Sequence, residues 1–427
     1  MSIRRVLAAA LTGAVAVGLA ACSPSAEGEG GNKSVNVVLA NHPWTDLMKE
    51  KIPEFEQQSG IKVNLTTYTE DQLSQQLNVK LNAGASDVDV MMIRPLQEAR
   101  LFDRNKWLAD LAEKAQGDAE WDWSDFQPGP QESVTIDGRI VAVPLSTERE
   151  VLYYRKDLLD QAGIAIPTTL EELEAAAKQI HESSNGEVYG FVARGQLSAA
   201  VTQFSSFLYS SGADWVNEDG TSGIATPEAI AAYELYGRLL REYGPPGVTN
   251  MSWPEAMGVF TQGRAAFYAE ADSLYTNATD PAKSKVVDSL GFAQFPAGSA
   301  GSRPTNVPAW AVAVPSASKN ADNAWEFIKW ATDKDNTRYV QENGVIGSRA
   351  SAWDAAPNSV IPADLAEVQA ASAKVGVGYS HPVVLNVARS REIVGEPIIT
   401  AIEGGDVKAS AEKASALFDE FLAAGGE

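Results

Sequence analysis

The chain has one cysteine and three histidines in 427 residues. A single thiol allows no internal disulfide, and His42, His181 and His381 stand far apart in sequence. Zinc sites draw on clustered histidines and cysteines, so no structural or catalytic metal centre is expected, and no other cofactor. Basic residues are scarce, 34 against 56 acids, for a formal charge of -22. Such a surface is repelled by phosphate backbones and anionic lipid, so nucleic acid is not an expected partner. The signatures of several enzyme classes are missing. There is no phosphate-binding loop with its lysine and no nucleophile elbow. His181-Glu182 is followed by Ser183-Ser184-Asn185, so the two-histidine zinc helix is absent. Asp333-Lys334-Asp335-Asn336 lacks the glycine of a calcium loop and reads as a helix-end turn.

The apolar run from Val6 to Ala21 follows Arg4 and Arg5 and ends in Leu19-Ala20-Ala21-Cys22. A basic start, a short apolar region and small residues before a cut site describe a secretory leader. The run is short for a membrane span, and polar residues follow at once. Leu-Ala-Ala-Cys resembles the lipobox of bacterial lipoproteins, which implies that Cys22 is lipidated and becomes the first mature residue. Residues 1–21 are then a leader and 22–34 a flexible Ser/Gly/Glu tether, whose reach is roughly 19 Å by random-coil scaling. The expected location is the outer face of the cell membrane.

An alternation of strands and helices follows. Val35–Ala40 reads as a strand and Trp44–Ser59 as a helix ended by Gly60. Ile61–Leu65 is a second strand, Glu70–Ala83 a second helix and Val88–Ile93 a third strand. This βαβαβ order implies parallel strands with covering helices, an α/β doubly wound sheet. Ligands of such sheets bind beyond the carboxyl ends of the strands. That rule points to His42–Asp46, to Tyr68–Glu70 and to Arg94–Leu96. Further on, Asp137-Gly138 marks a hairpin turn, and Trp121–Phe126 an aromatic-anchored loop. Thr168 with Glu171 has the spacing of a capping box, and Thr226 and Ser252 open further helices.

What the chain offers is a binding vocabulary. Polyhydroxylated ligands need flat apolar faces for their C–H surfaces and charged groups for their hydroxyls. Trp44, Trp253 and Trp310 fall at segment ends beside polar residues. Asp46, Arg94, Glu148, Arg149, Arg194, Glu270, Asp272 and Arg349 are placed similarly.

Five motifs in order then resemble the extracellular solute-binding proteins of ABC importers, the family that includes maltose-binding proteins. Phe55–Val63 resembles its first helix-to-strand junction and Asp87–Met91 its third strand. Asp137–Pro144 with Leu152–Leu159 resembles the first crossing between lobes, Phe260–Phe267 the second, and Trp310–Pro315 with Ala324–Trp330 the third. Gly244–Thr249 and the Trp310 and Trp330 segments look most like the polyol and mannitol-type branch. Ser146–Arg149 and Ala269–Asp272 depart from it. The resemblance implies a two-lobe periplasmic-binding-protein fold, with residues 35–147 and 273–312 in one lobe and 148–272 and 313–427 in the other. It also implies a monomeric receptor, not an enzyme, that binds a sugar or polyol between its lobes, with Trp310 as the preferred stacking platform and Arg94 and Arg194 as the preferred hydroxyl clamps. An ABC permease is its partner, and the membrane is reached through the lipid on Cys22. The alternatives are a polyamine, an iron complex, an oligosaccharide-derived ligand, or a surface glycosidase using Glu148 and Glu270. For iron, Tyr153 and Tyr154 would have to converge, yet neighbours on a strand point apart.

Overall fold

The computed structural model describes residues 33–353 and 360–426. The expected leader, Cys22 and most of the expected tether lie outside the described residues.

Strands β1 (Ser34–Ala40), β2 (Lys62–Tyr68) and β3 (Val90–Ile93) are parallel, with β1 in the middle. Val37 is in register with Leu65 on one side and Val90 on the other. The end of β1, Val-Val-Leu-Ala, is buried without interruption, as a sheet covered on both faces requires. The helix Pro43–Ser59 starts where His42 Nδ1 accepts from the Trp44 amide at 3.1 Å. Pro43 fits the first turn because that N–H has no helical partner anyway. Gly60, at φ 70°, stops the helix in a left-handed cap that glycine adopts without strain.

The hairpin of β4 (Thr135–Ile136) and β5 (Arg139–Ile140) turns through Asp137 and Gly138, at φ 49° and 78°. Two successive positive φ values give the tight turn that matches strand twist. The 13-residue strand β6 (Val143–Arg155) follows, then β7 (Tyr189–Val192), β8 (Ala265–Ala271), β9 (Leu290–Gln294) and β10 (Asn306–Ala313). The first half of β6 pairs antiparallel with β10, and its second half pairs with β8 and β9. One continuous path, β2-β1-β3-β10-β6-β8-β7, therefore runs through both lobes, with β6 as the shared strand. The parallel order expected from the first elements holds for β1 to β3, and β10 then enters antiparallel to both β3 and β6.

The hydrophobic clusters fix lobe membership, and they move the expected boundaries. Trp325, Phe327, Ile328 and Val340 belong to the core around β1 and β3. Phe327 and Trp330 pack on Phe55, with ring centroids 5.5 and 5.0 Å apart. Residues from β10 to Val345 therefore complete the first lobe. The stretch 273–305 falls in the second lobe, because β9 pairs with Val151–Arg155 and Phe292 packs on Tyr153. Phe260–Phe267 is not a crossing either, since β8 meets only the far half of β6, Glu150–Tyr154. The second lobe is mostly helical, built on Leu197–Ser210, Pro227–Glu242, Val387–Glu403 and Val407–Ala423. Its capping box sits one residue later than the spacing suggested, with Thr169 and Glu172 exchanging bonds at 3.2 Å. Tyr153 and Tyr154 enter different clusters, as strand alternation requires.

Candidate functional site

A cavity of about 530 Å³ opens between the lobes, where β6 crosses. Small-ligand sites span roughly 300–1,000 Å³. Its first-lobe wall is aromatic and apolar. His42 and Pro43 come from the turn after β1, and Leu96 and Gln97 from the turn after β3. Val307, Pro308, Ala309 and Trp310 also line it, four residues in a row. A regular strand would alternate these between two faces. The register of β10 slips on both sides of Trp310, and such a bulge re-aims side chains. Trp310 is 6 % exposed, with His42 at 5.8 Å and the Arg94 guanidinium 6.0 Å from its ring. Arg94 is oriented from below by Ser74 Oγ at 2.8 Å and Glu98 Oε1 at 3.2 Å.

The second-lobe wall is ionic. Arg194, just past β7, is joined to both oxygens of Glu270 at 2.9 and 2.6 Å. Glu270 is fully buried and also accepts from Tyr268 Oη at 2.6 Å and the Ala271 amide at 2.8 Å. Burial works against the Arg194 charge, but the contact with Glu270 outweighs it and raises the pKa. Glu148 accepts from Ser273 Oγ at 2.7 Å, and burial raises its pKa. Glu150 is 2 % exposed, and burial lifts it well above the usual carboxylate range. The Thr305 amide donates to Ser206 Oγ at 3.0 Å, and that hydroxyl donates to Glu150 Oε2. Glu150 Oε1 has no partner among the described residues. Trp253, 38 % exposed, closes the rim as the first residue of a helix capped by Ser252 and Glu255.

Five of the expected ligand residues line this cavity with side chains suited to it, namely Arg94, Glu148, Arg194, Trp253 and Trp310. Glu270 stands behind Arg194 as its support. Arg149 borders the cavity but is fully buried and bound to Asp272, also fully buried, at 3.2 Å. Arg149 Nη2 reaches Gln127 and Thr147 of the first lobe at 2.6 and 2.7 Å, so the pair pins the crossing. Three expectations are corrected. Trp44 is 1 % exposed and shares the buried stripe of its helix with Met48 and Phe55. Asp46 points to solvent and pairs with Lys49 at 3.0 Å. Arg349 is sealed in the first lobe, stacked 4.1 Å from the Phe126 ring centre and bound to Asp125 at 3.1 Å. Unforeseen at the site were Glu150, Gln203, His381 and Arg391. His42 lay in a loop that the strand-end rule had marked. Arg391 follows the pattern of a solvated helix face, and no sequence signal separates it from Arg389.

Among the described residues no group of three or more His, Cys, Asp or Glu could hold a metal ion. No described helix is long and apolar enough to cross a membrane.

Fold and cleft together define a two-lobe ligand-binding protein. The chain belongs to the bacterial extracellular solute-binding protein family, whose model matches residues 41–338. It is 27 % identical to a mannitol-binding protein of Pseudomonas aeruginosa over 78 % of this chain and 77 % of that one. It is 28 % identical to an erythritol/L-threitol-binding protein of Mycolicibacterium smegmatis, over 75 % of this chain and 71 % of the other. A solute-binding protein of an ABC transporter from Agrobacterium radiobacter, solved with ribitol, superposes with a TM-score of 0.76. That structure is 26 % identical and covers 91 % of this chain and 98 % of its own.

Proposed function

We propose that the protein is the receptor of an ABC importer, capturing a sugar or sugar alcohol between its lobes and passing it to a membrane permease. One observation carries the reading. The cleft sets an aromatic surface, Trp310, opposite an arginine anchored on a buried carboxylate, Arg194 on Glu270, with Trp253 at the rim on the arginine's own side. Stacked rings take C–H faces and charge-assisted donors take hydroxyls, which is what a polyol presents. The relatives named for mannitol and erythritol, and the ribitol complex, support the same class of ligand. The lobes close about the crossing strands, and ligand must favour the closed form for a permease to read it. The Glu270 oxygens are already taken by Arg194, Tyr268 and Ala271, which argues against a glycosidase acid at that position.

Calorimetry against alditols, monosaccharides and short oligosaccharides tests the reading. One class should bind with about -8 kcal/mol, a micromolar constant, and without turnover. A panel in which nothing binds sinks it. Cys22 adds the tether, and a receptor held near its permease gains effective concentration. Cys22→Ser should release the protein from membranes and leave ligand affinity intact. Retention of the variant in the membrane fraction would refute the anchor.

A further inference from the structure

The cleft continues past Arg94, Gln97 and Arg391 into a second chamber of about 600 Å³. Its described lining includes Arg94, Arg104, Arg391 and Glu98. The helix Val387–Glu403 begins in its wall, where Asn386, Val387 and Ala388 are exposed to the chamber. The first turn of a helix carries positive partial charge.

Arg391 stands where the two chambers meet, and it differs from the other cleft arginines. Arg94 has Glu98 and Arg194 has Glu270. No described carboxylate lies within ion-pair distance of Arg391. Its Nη2 donates to Thr202 Oγ1 at 3.1 Å, and its buried Nε has no partner among the described residues. Burial, with Arg194 and Arg94 adding like-charge repulsion, pushes its pKa down to about 10, so it keeps its charge at neutral pH. The nearby histidines are neutral there, with burial holding His42 near 4 and His381 near 3. The facing acids, Glu148 and Glu150, are committed to Ser273 and Ser206, and burial raises both pKa values. A guanidinium in such a place is costly until an anion meets it.

We propose that the ligand carries a carboxylate on a polyhydroxylated chain, as an aldonate or uronate does, and that Arg391 seats it at the junction of the two chambers. The inference rests on the sugar-or-polyol reading and narrows it. Calorimetry on the full chain compares five- and six-carbon alditols with the matching aldonates, and hexoses with hexuronates. An acid should bind at least about tenfold more tightly than its neutral counterpart. Arg391→Gln should abolish that preference, so that each acid then binds within about threefold of its neutral counterpart. Raising NaCl to about 0.5 M should weaken the acid alone. Neutral ligands binding as tightly as acids would overturn the inference and leave the polyol reading standing. Neither class binding would overturn both. If Arg391→Gln does not fold, Arg391→Lys takes its place, since it keeps the charge and loses the planar two-donor fork; it should narrow the preference for acids, and an unchanged preference removes Arg391 as its source.

Discussion

Two arginine–carboxylate pairs sit at the end of β8, two residues apart, and do different work. Asp272 meets Arg149 with both side chains at zero exposure. Glu270 meets Arg194, whose side chain keeps 15 % of its surface. In the first pair Arg149 also donates its own amide to Asp272 at 2.8 Å, and its guanidinium reaches across to Gln127. The guanidinium thereby ties the second lobe to the first. In the second pair Nε and Nη2 of Arg194 are held by Glu270, and Nη1 has no protein partner among the described residues. The carboxylate fixes one edge of the guanidinium, and the cleft receives the other. The chemistry is the same, and the difference lies in how many donors the protein leaves open.

The comparison breaks most visibly at Arg149. Arg149→Met strands Asp272 in the interior, which should cost about 3–5 kcal/mol in urea unfolding. Adding Asp272→Asn should restore a good part of it, because the uncompensated charge is gone. A single variant as stable as the parent would show that the pair does not pin the crossing. Arg194→Gln also removes a cation from a buried carboxylate, but Tyr268 and the Ala271 amide still bond Glu270, so the stability loss should be smaller. Binding should in addition weaken by about 1.5–3 kcal/mol by calorimetry, the worth of a charged hydrogen bond. If Arg194→Gln destabilises the fold more than Arg149→Met does, the two roles are reversed.

Glu150, between the pairs, sharpens the contrast through pH. Its folded pKa is raised, so the folded state holds the proton more tightly than the unfolded chain. Its contribution to stability is therefore full at low pH and declines as pH rises above the ordinary glutamate value, near 4.5. The slope cannot exceed about 1.4 kcal/mol per pH unit for one group. Glu150→Gln should flatten that decline, and parallel stability–pH curves for the two proteins would contradict the assignment.

How much of this was legible follows from range. β1 to β3, their helices and the Asp137-Gly138 turn come from local pattern, and the structure has them within a few residues. The first-lobe wall was half legible, since the strand-end rule marked the loops of His42 and Arg94. Trp44 was misplaced by two positions, although Trp44, Met48 and Phe55 repeat at helical spacing and spelled a buried stripe. Arg349 could not be read, because its partner Asp125 is 224 residues away in sequence. The four-residue wall at Val307–Trp310 depends on a register slip against β6, which no local pattern records. The lobe boundaries failed for the same reason, because pairing of β9 with β6 and packing of Phe327 on Phe55 are long-range events.

The smallest effect separates ligand contact from support most cleanly. Trp253 shares a network with Glu270, but only through its backbone. Tyr268 Oη lies 3.4 Å from the Trp253 carbonyl and 2.6 Å from Glu270. The indole lines the cleft at 38 % exposure. Trp253→Ala therefore keeps the carbonyl and removes only the ring. Stacking geometry is worth about 0.5–1.5 kcal/mol, so affinity should fall about two- to twelvefold while Arg194 and Glu270 stay in place. The unfolding midpoint should move far less than in Arg149→Met, because the ring is already partly in water. A variant that loses stability and keeps its affinity would make Trp253 a packing residue and leave Trp310 as the aromatic surface for the ligand.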